Sequence, residues 1–375
     1  MSDPTPNPAA TTTALPLTSL TAALGPSSVA LQVYRGVLTP AAFSHSGREL
    51  DALRTHAGVY DLGWKSFLRC AGRDRVRWLN GMVTNSVKDL AENAACYAFV
   101  LNVQGRIQGD LIIARRAGDP DALWLETDSA QVDALTSFVR RYIIMDQVVL
   151  EPAEQWTVLG IAGPQAAATL AGLALAAAEL TPGQLLEATW QRRSVVVLAV
   201  HSPLVPRYQI WIESSAVLDL WNALKAAGAT PCGSTAVEHL RILEGTPACG
   251  VDIAERDLPQ ETGQTRALNF NKGCYLGQEI VERIRSRGSV HRTFSGFLLT
   301  GDPLTPKASI LAQDKAVGEL TSVARISLPE TGERVFALGF IRREALETGQ
   351  PLAANGIAVT PCALPFDFAS TAVQP

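Results

Sequence analysis

The chain lacks the spacings that build a metal centre from cysteine. Its six cysteines, at 70, 96, 232, 249, 274 and 362, contain no C-x-x-C pair, and none has a histidine three to five residues away. A zinc site or a permanent four-cysteine cluster site is therefore not expected, and no metal ligands are assigned. An excess of positive charge is also missing. Against 32 Lys and Arg stand 36 Asp and Glu, a formal net charge of −4, so overall electrostatics give no route to direct nucleic-acid binding. No lysine or arginine precedes Arg35. Residues 1–28, rich in Pro, Thr, Ser and Ala, thus lack the basic start of a secretory signal and the arginines of a mitochondrial presequence. They read as a disordered tail, and the compartment reads as a reducing cytoplasm with free thiols. No stretch is long and apolar enough to span a membrane.

What is present is an ordinary globular composition, 47% apolar and 18% charged over 375 residues, enough for two or three domains. One run stands out, Lys272-Gly273-Cys274-Tyr275-Leu276-Gly277-Gln278-Glu279. A helix is expected just after it, with Leu276, Ile280 and Ile284 on one buried face, Glu279 and Arg283 four apart on another, and Gly288 as the stop. A thiol near a helix N-terminus with a lysine beside it should have its pKa below the roughly 8.5 of a free cysteine. Cys274 is the candidate reactive atom, with Lys272 as its cation. The alternative is the common one, a small buried hydrophobe. Arg266, Arg283, Arg285, Arg287 and Arg292 join Lys272 in a local basic concentration, partly neutralised by Glu279 and Glu282. That reads either as a solvated helix face or as a site of anion capture.

Along the chain, helices are expected over Ser46–Ala57, Asp74–Gly81, Asp128–Arg141 and Ala216–Ala227. Strands are expected over Ser66–Ala71, Leu123–Thr127, Ser194–Val200 and Arg207–Glu213, with a hairpin over Ala94–Asn102 and Arg106–Ala114. Thr235-Ala236-Val237-Glu238 fits a capping box opening a helix through Leu243. Trp124-Leu125-Glu126-Thr127-Asp128-Ser129-Ala130 is similar to Trp211-Ile212-Glu213-Ser214-Ser215-Ala216, which suggests duplication of an α+β unit or a chance likeness of two strand-to-helix corners. From Phe294 onward, short strands and turn residues suggest a small β-barrel domain over 291–375. His201, His239 and His291 have no visible ligand partners and read as structural.

The run around Cys274 resembles the K-G-C-Y-x-G-Q-E signature of the YgfZ family, itself similar to the folate-binding T-protein of glycine cleavage. Other segments carry the same resemblance: Gly58 to Leu62, Asp74 to Asn85, Tyr97 with Leu101-Asn102 and Gly105, Arg241 to Asp252, and Gly318 to Phe340. The implied fold is α+β, a cloverleaf of two related ferredoxin-like units over 29–290 and a C-terminal barrel over 291–375. The implied ligand is tetrahydrofolate or a derivative, held by Tyr97, Asn102, Asp110, Arg241, Tyr275 and Gln278, with Cys274, Lys272 and Asp110 as the catalytic set. Two departures stand beside the likeness. The adjacent carboxylates of the glycine-cleavage enzymes read Gly109-Asp110 here, and their T-G-E segment corresponds to Leu204-Val205-Pro206-Arg207, with no acid. Arg241 reads either as a cation for a folate carboxylate or Asp110, or as a partner of Glu238 or Glu244.

The resemblance implies a folate-dependent factor for assembly or repair of iron–sulfur clusters in client proteins, indirectly supporting tRNA thiolation. Two alternatives stay open: a folate-dependent aminomethyltransferase, and a non-catalytic folate-binding scaffold with Cys274 as a packed thiol.

Overall fold

A computed structural model of the chain describes residues 15–288 and 290–367. It opens with α1 (Ser19–Leu24), β1 (Ala30–Tyr34), β2 (Val37–Ala42), α2 (Ser46–Thr55) and β3 (Gly58–Asp61). Residues 1–14 lie outside the described chain, but 15–28 depart from the expected tail. Thr18 Oγ1 caps α1 by accepting from Thr21 N at 3.1 Å, and Leu20, fully buried, packs with Val59, Leu220 and Trp221. The composition of 1–28 concealed this because a six-residue helix offers few apolar anchors, here Leu20 and Leu24.

Two units of matching order follow. The first is β4 (Lys65–Ala71), α3 (Arg75–Met82), β5 (Ala94–Leu101), β6 (Ile107–Arg115), β7 (Ala122–Asp128), α4 (Ser129–Arg140) and β8 (Val149–Pro152). The second is β9 (Trp156–Ala162), α5 (Ala166–Ala171), β10 (Leu185–Trp190), β11 (Arg193–Ala199), β12 (Arg207–Glu213), α6 (Val217–Ala226) and β13 (Thr230–Cys232). Their sheets run β5-β6-β7-β4-β8 and β10-β11-β12-β9-β3-β13, so the same order recurs with β3 added near the second edge. The tryptophans of the two similar sequence segments are structural counterparts. Trp124 of β7 and Trp211 of β12 stack with ring centroids 6.5 Å apart, which supports duplication over chance.

Strand alternation sorts residues between the two faces of each sheet. On β7, Leu123 and Leu125 pack outward beneath α3 and α4, whereas Trp124 and Glu126 point inward. On β12, Tyr208, Ile210 and Ile212 face α5 and α6, whereas Arg207, Gln209 and Trp211 point inward. The inner faces meet through Phe67, Trp124 and Trp211. Edge-to-face aromatic pairs of this kind add about 0.5–1.5 kcal/mol beyond area burial.

Helix α7 (Ser234–Glu244) starts at an uncapped Gly233, and the expected capping box does not form. Its side chains have tertiary partners instead: Thr235 Oγ1 accepts from Gln32, and Glu238 accepts from Tyr34 and Arg241. After α8 (Gln278–Arg287), the strands β14 (Arg292–Leu299), β15 (Ser309–Ala312), β16 (Lys315–Leu328) and β17 (Gly332–Arg342), then α9 (Arg343–Glu347), β18 (Leu352–Ala354) and β19 (Ile357–Cys362), form a closed six-stranded barrel. The barrel has its own core around Phe297 and Leu320. It also sends Phe294, Phe336 and Phe340 into the inter-sheet core.

Candidate functional site

Where the inner sheet faces diverge they leave a cavity of about 190 Å³, walled by the β5–β6 hairpin, β7, β12, α7 and the loop 246–249. A second chamber of about 260 Å³ adjoins it and shares Tyr97, Ile112, Val200, His201 and Arg266 as walls. Together they fall within the ~300–1,000 Å³ range of small-molecule sites.

Asp110 stands in the wall of the first chamber, opposite Phe99 in the hairpin register. Tyr97 OH donates to its Oδ2 at 2.8 Å and Gln131 Nε2 to its Oδ1 at 2.6 Å. The Cys249 thiol lines the same chamber and feels this carboxylate. Burial, reinforced by Asp110, pushes both Tyr97 and Cys249 well above their ordinary pKa. Both therefore keep their protons at neutral pH, and Tyr97 acts as a donor. A carboxylate so fixed can accept a proton or orient an N–H of a bound ligand. Arg266 lies over the Tyr97 ring, 4.4 Å from its centroid.

The deep end is ionic. Lys65 Nζ lies 2.7 Å from Asp128 and 3.5 Å from Glu126 Oε1, and Arg35 lies 3.5 Å from Asp128. Gln209 Nε2 donates to Glu126 Oε1 at 3.0 Å, while Glu126 Oε2 is buried without a hydrogen-bond partner. Burial, only partly offset by Lys65, raises the Glu126 pKa.

Arg241 lines the same cavity with all five N–H groups engaged. They reach both oxygens of Glu238 at 2.6 and 2.9 Å, Asp252 at 2.6 Å, Ser322 Oγ at 2.6 Å and the Thr246 carbonyl at 2.7 Å. Of its two sequence readings, the ion pair with Glu238 is the one formed. Glu244 pairs with Arg207 instead, at 3.0 Å. No donor of Arg241 is left for a ligand carboxylate or for Asp110.

The cysteine run is a docking device. Lys272 Nζ donates to three carbonyls around the end of α3, those of Asn80, Val83 and Asn85, at 2.5–2.7 Å. Its ammonium, which burial pushes down to about 8 against a small opposing influence of the Cys96 thiol, is thus committed to backbone. The expected Lys272–Cys274 partnership is replaced by this clasp. Leu276 N donates to Gly81 O at 3.0 Å, Gln278 Oε1 accepts from Tyr275 N at 3.2 Å, and Tyr275 is buried against Phe99 and Leu101. Gly277 has φ +81° and a Cβ there would meet Asn102 O at 2.5 Å, while one on Gly105 would meet Ile280 at 2.7 Å. The hairpin tip and the start of α8 can approach only because both are glycine. On α8 the fully buried residue is Val281, rather than Leu276, Ile280 and Ile284.

Cys274 is the exposed thiol of the chain, and it belongs to the wall of neither chamber. Of the expected ligand set, Tyr97, Asp110 and Arg241 share the cavity. Asn102 instead closes the hairpin turn by accepting from Gln104 N and Arg106 N, both at 3.0 Å, and Tyr275 and Gln278 hold the Cys274 loop. The basic concentration is dispersed: Arg292 pairs with Asp257 and Glu261, and Arg285 with Glu282. Sequence reasoning missed Cys249, Glu126 and His201 as cavity residues. The available signal was the alternation Trp124-x-Glu126-x-Asp128, charges on the face of a buried tryptophan. Among the described residues, no group of three or more His, Cys, Asp or Glu side chains could hold a metal ion, and no helix is long and apolar enough to cross a membrane.

The family model for the GCVT N-terminal domain matches residues 26–272. The chain is 26% identical over 317 residues to a chloroplastic protein of Arabidopsis thaliana named as a candidate transferase, covering 82% of this chain and 70% of that one. It is 26% identical over 353 residues to an aminomethyltransferase of Cutibacterium acnes, covering 89% and 93%. The crystal structure of the glycine cleavage system aminomethyltransferase T of Bartonella henselae superimposes with a TM-score of 0.82 at 20% identity, covering 94% of this chain and 98% of that one. That likeness establishes a shared fold, barrel included.

Proposed function

The chain belongs to the GCVT family, and from that premise we propose that it binds tetrahydrofolate in the inter-sheet cavity and acts as a YgfZ-like factor. In this reading it supports assembly or repair of iron–sulfur clusters in client proteins and, indirectly, tRNA thiolation. The observation that carries the reading is the use of the cysteine run. Lys272, Tyr275, Leu276, Gly277 and Gln278 all dock the loop, and the residue they present to solvent is Cys274. A thiol held rigidly at the surface suits transient contact with a partner's sulfur or iron better than chemistry inside a closed chamber. A cytoplasmic setting, which keeps thiols reduced, belongs to the same proposal.

The cavity residues fit a folate. The ring system needs an enclosed wall with a few convergent polar groups, and Asp110, Tyr97 and the unpartnered Glu126 oxygen supply them. Arg266, in the wall of both chambers, suits the anionic glutamate end. When bound, tetrahydrofolate supplies a carrier for one-carbon units. Asp110 would hold or accept a proton beside it, with Tyr97 and Gln131 fixing the carboxylate.

The second reading, a folate-dependent aminomethyltransferase, is favoured by the names of the relatives and by the survival of Asp110 in the cavity. Gly109 and the acid-free stretch before β12 weigh against it. Cells lacking the chain, complemented with wild type, Cys274→Ala or Asp110→Asn and assayed for cluster-dependent enzymes under oxidative stress, separate the readings. The proposal expects Cys274→Ala to fail. Full rescue by that variant, together with aminomethyl transfer in vitro that Asp110→Asn abolishes, would install the second reading.

A further inference from the structure

Glu126 is a buried acid with an unmet oxygen. Its side chain has no solvent exposure, it lines the cavity, and Oε2 has no hydrogen-bond partner. Its neighbours do not explain it as one half of an ion pair. Lys65 lies closer to Asp128, at 2.7 Å against 3.5 Å, and both Lys65 and Gln209 address Oε1. Leaving a buried carboxylate oxygen unsatisfied is costly, and this one, in a cavity wall, is free to take a donor from outside the chain. The position also answers a deficit. The segment Leu204–Arg207, which precedes β12, carries no acid, yet Gln209 of β12 reaches across the sheets to Glu126 of β7.

We propose that Glu126 is the specificity-determining residue of the cavity, receiving at Oε2 the exocyclic amino group of a 2-aminopyrimidinone ring, with Gln209 as the residue that positions it. The inference rests on the folate reading above and adds to it the residue that recognises the ring. An exocyclic amino group on the ring edge is a donor that one free carboxylate oxygen can accept. Oε1 is held in place by Gln209 and Lys65, which leaves Oε2 as the free acceptor of this carboxylate.

The test is a fluorescence titration of the full chain with tetrahydrofolate and with its 2-desamino analogue, using wild type and Glu126→Gln. Wild type is expected to bind the desamino analogue about 10- to 100-fold more weakly than tetrahydrofolate, the scale of one charge-assisted hydrogen bond. Glu126→Gln should lose a similar factor for tetrahydrofolate and cease to discriminate. Equal affinity of wild type for the two ligands overturns the proposal, and does so even if the variant fails to fold. A folded Glu126→Gln, with unchanged thermal unfolding and wild-type affinity, overturns it equally. If wild type binds no folate at all, the folate reading itself falls, a result distinct from both.

Discussion

Replacing Arg241 by methionine should unfasten the molecule at the junction of its three parts. Arg241 leaves α7 to meet Glu238 on its own helix, Asp252 in the following loop and Ser322 on the barrel. Asp252 is fully buried, and its other oxygen accepts from Thr321 and Ser322 of β16. Removing the guanidinium strands a buried carboxylate, a change that costs about 3–5 kcal/mol. An independent route gives the same scale. Although burial pushes the Glu238 carboxyl up, Arg241 and Arg35 hold it down at about 2, against 4.5 unperturbed. About 2.5 units at ~1.36 kcal/mol each is about 3 kcal/mol of linkage. Because the folded pKa is depressed, this stability is present above pH 4.5 and is lost as pH falls toward 2. Urea denaturation of wild type and Arg241→Met at pH 7 and at pH 3 measures both effects. The variant should be about 3–5 kcal/mol less stable at pH 7 and should show a shallower loss on acidification. A variant within ~1 kcal/mol of wild type, or one with the wild-type pH slope, would refute this account of the cluster.

Three further outcomes are expected. Lys272→Met removes a cation from three carbonyls and should cost about 2–3 kcal/mol by thermal unfolding, with Lys272→Arg failing to rescue because a planar fork does not fill that three-point cage. Leu20→Ala, at a fully buried position of α1, should cost about 2–5 kcal/mol; a neutral result would return residues 15–28 to the tail. In the native protein at pH 7.5, a thiol reagent followed by peptide mass spectrometry should label Cys274 first. Cys70, pushed up to about 12 by burial, and buried Cys232 should react only on unfolding, and simultaneous labelling of all six would contradict the packing.

The sequence was most readable where local pattern and tertiary burial agree. Arg207–Glu213 alternates cleanly, and β12 has those bounds; the hairpin, α4 and α6 lie within two residues of expectation. Patterns failed where a polar side chain had a remote partner. Thr235 and Glu238 have capping-box spacing, but Gln32, Tyr34 and Arg241 claim them. Lys272 is adjacent to the cysteine in sequence, yet its charge is drawn to the end of α3, some 190 residues earlier in the chain. The cavity was legible only in part, because it is assembled from one face each of β6, β7 and β12. Tyr97 and Asp110 share a hairpin and could be read together. Cys249 and Glu126 join them only when the sheets are packed.

In the proposed reading, folate recognition and the exposed Cys274 thiol occupy separate places on this chain. That separation is tested most directly by titrating tetrahydrofolate into wild type and Cys274→Ser. The account predicts equal dissociation constants, since Cys274 lies outside both chambers. A Cys274→Ser protein that is folded but has lost the ligand, or a wild-type protein that never binds it, would contradict the claim.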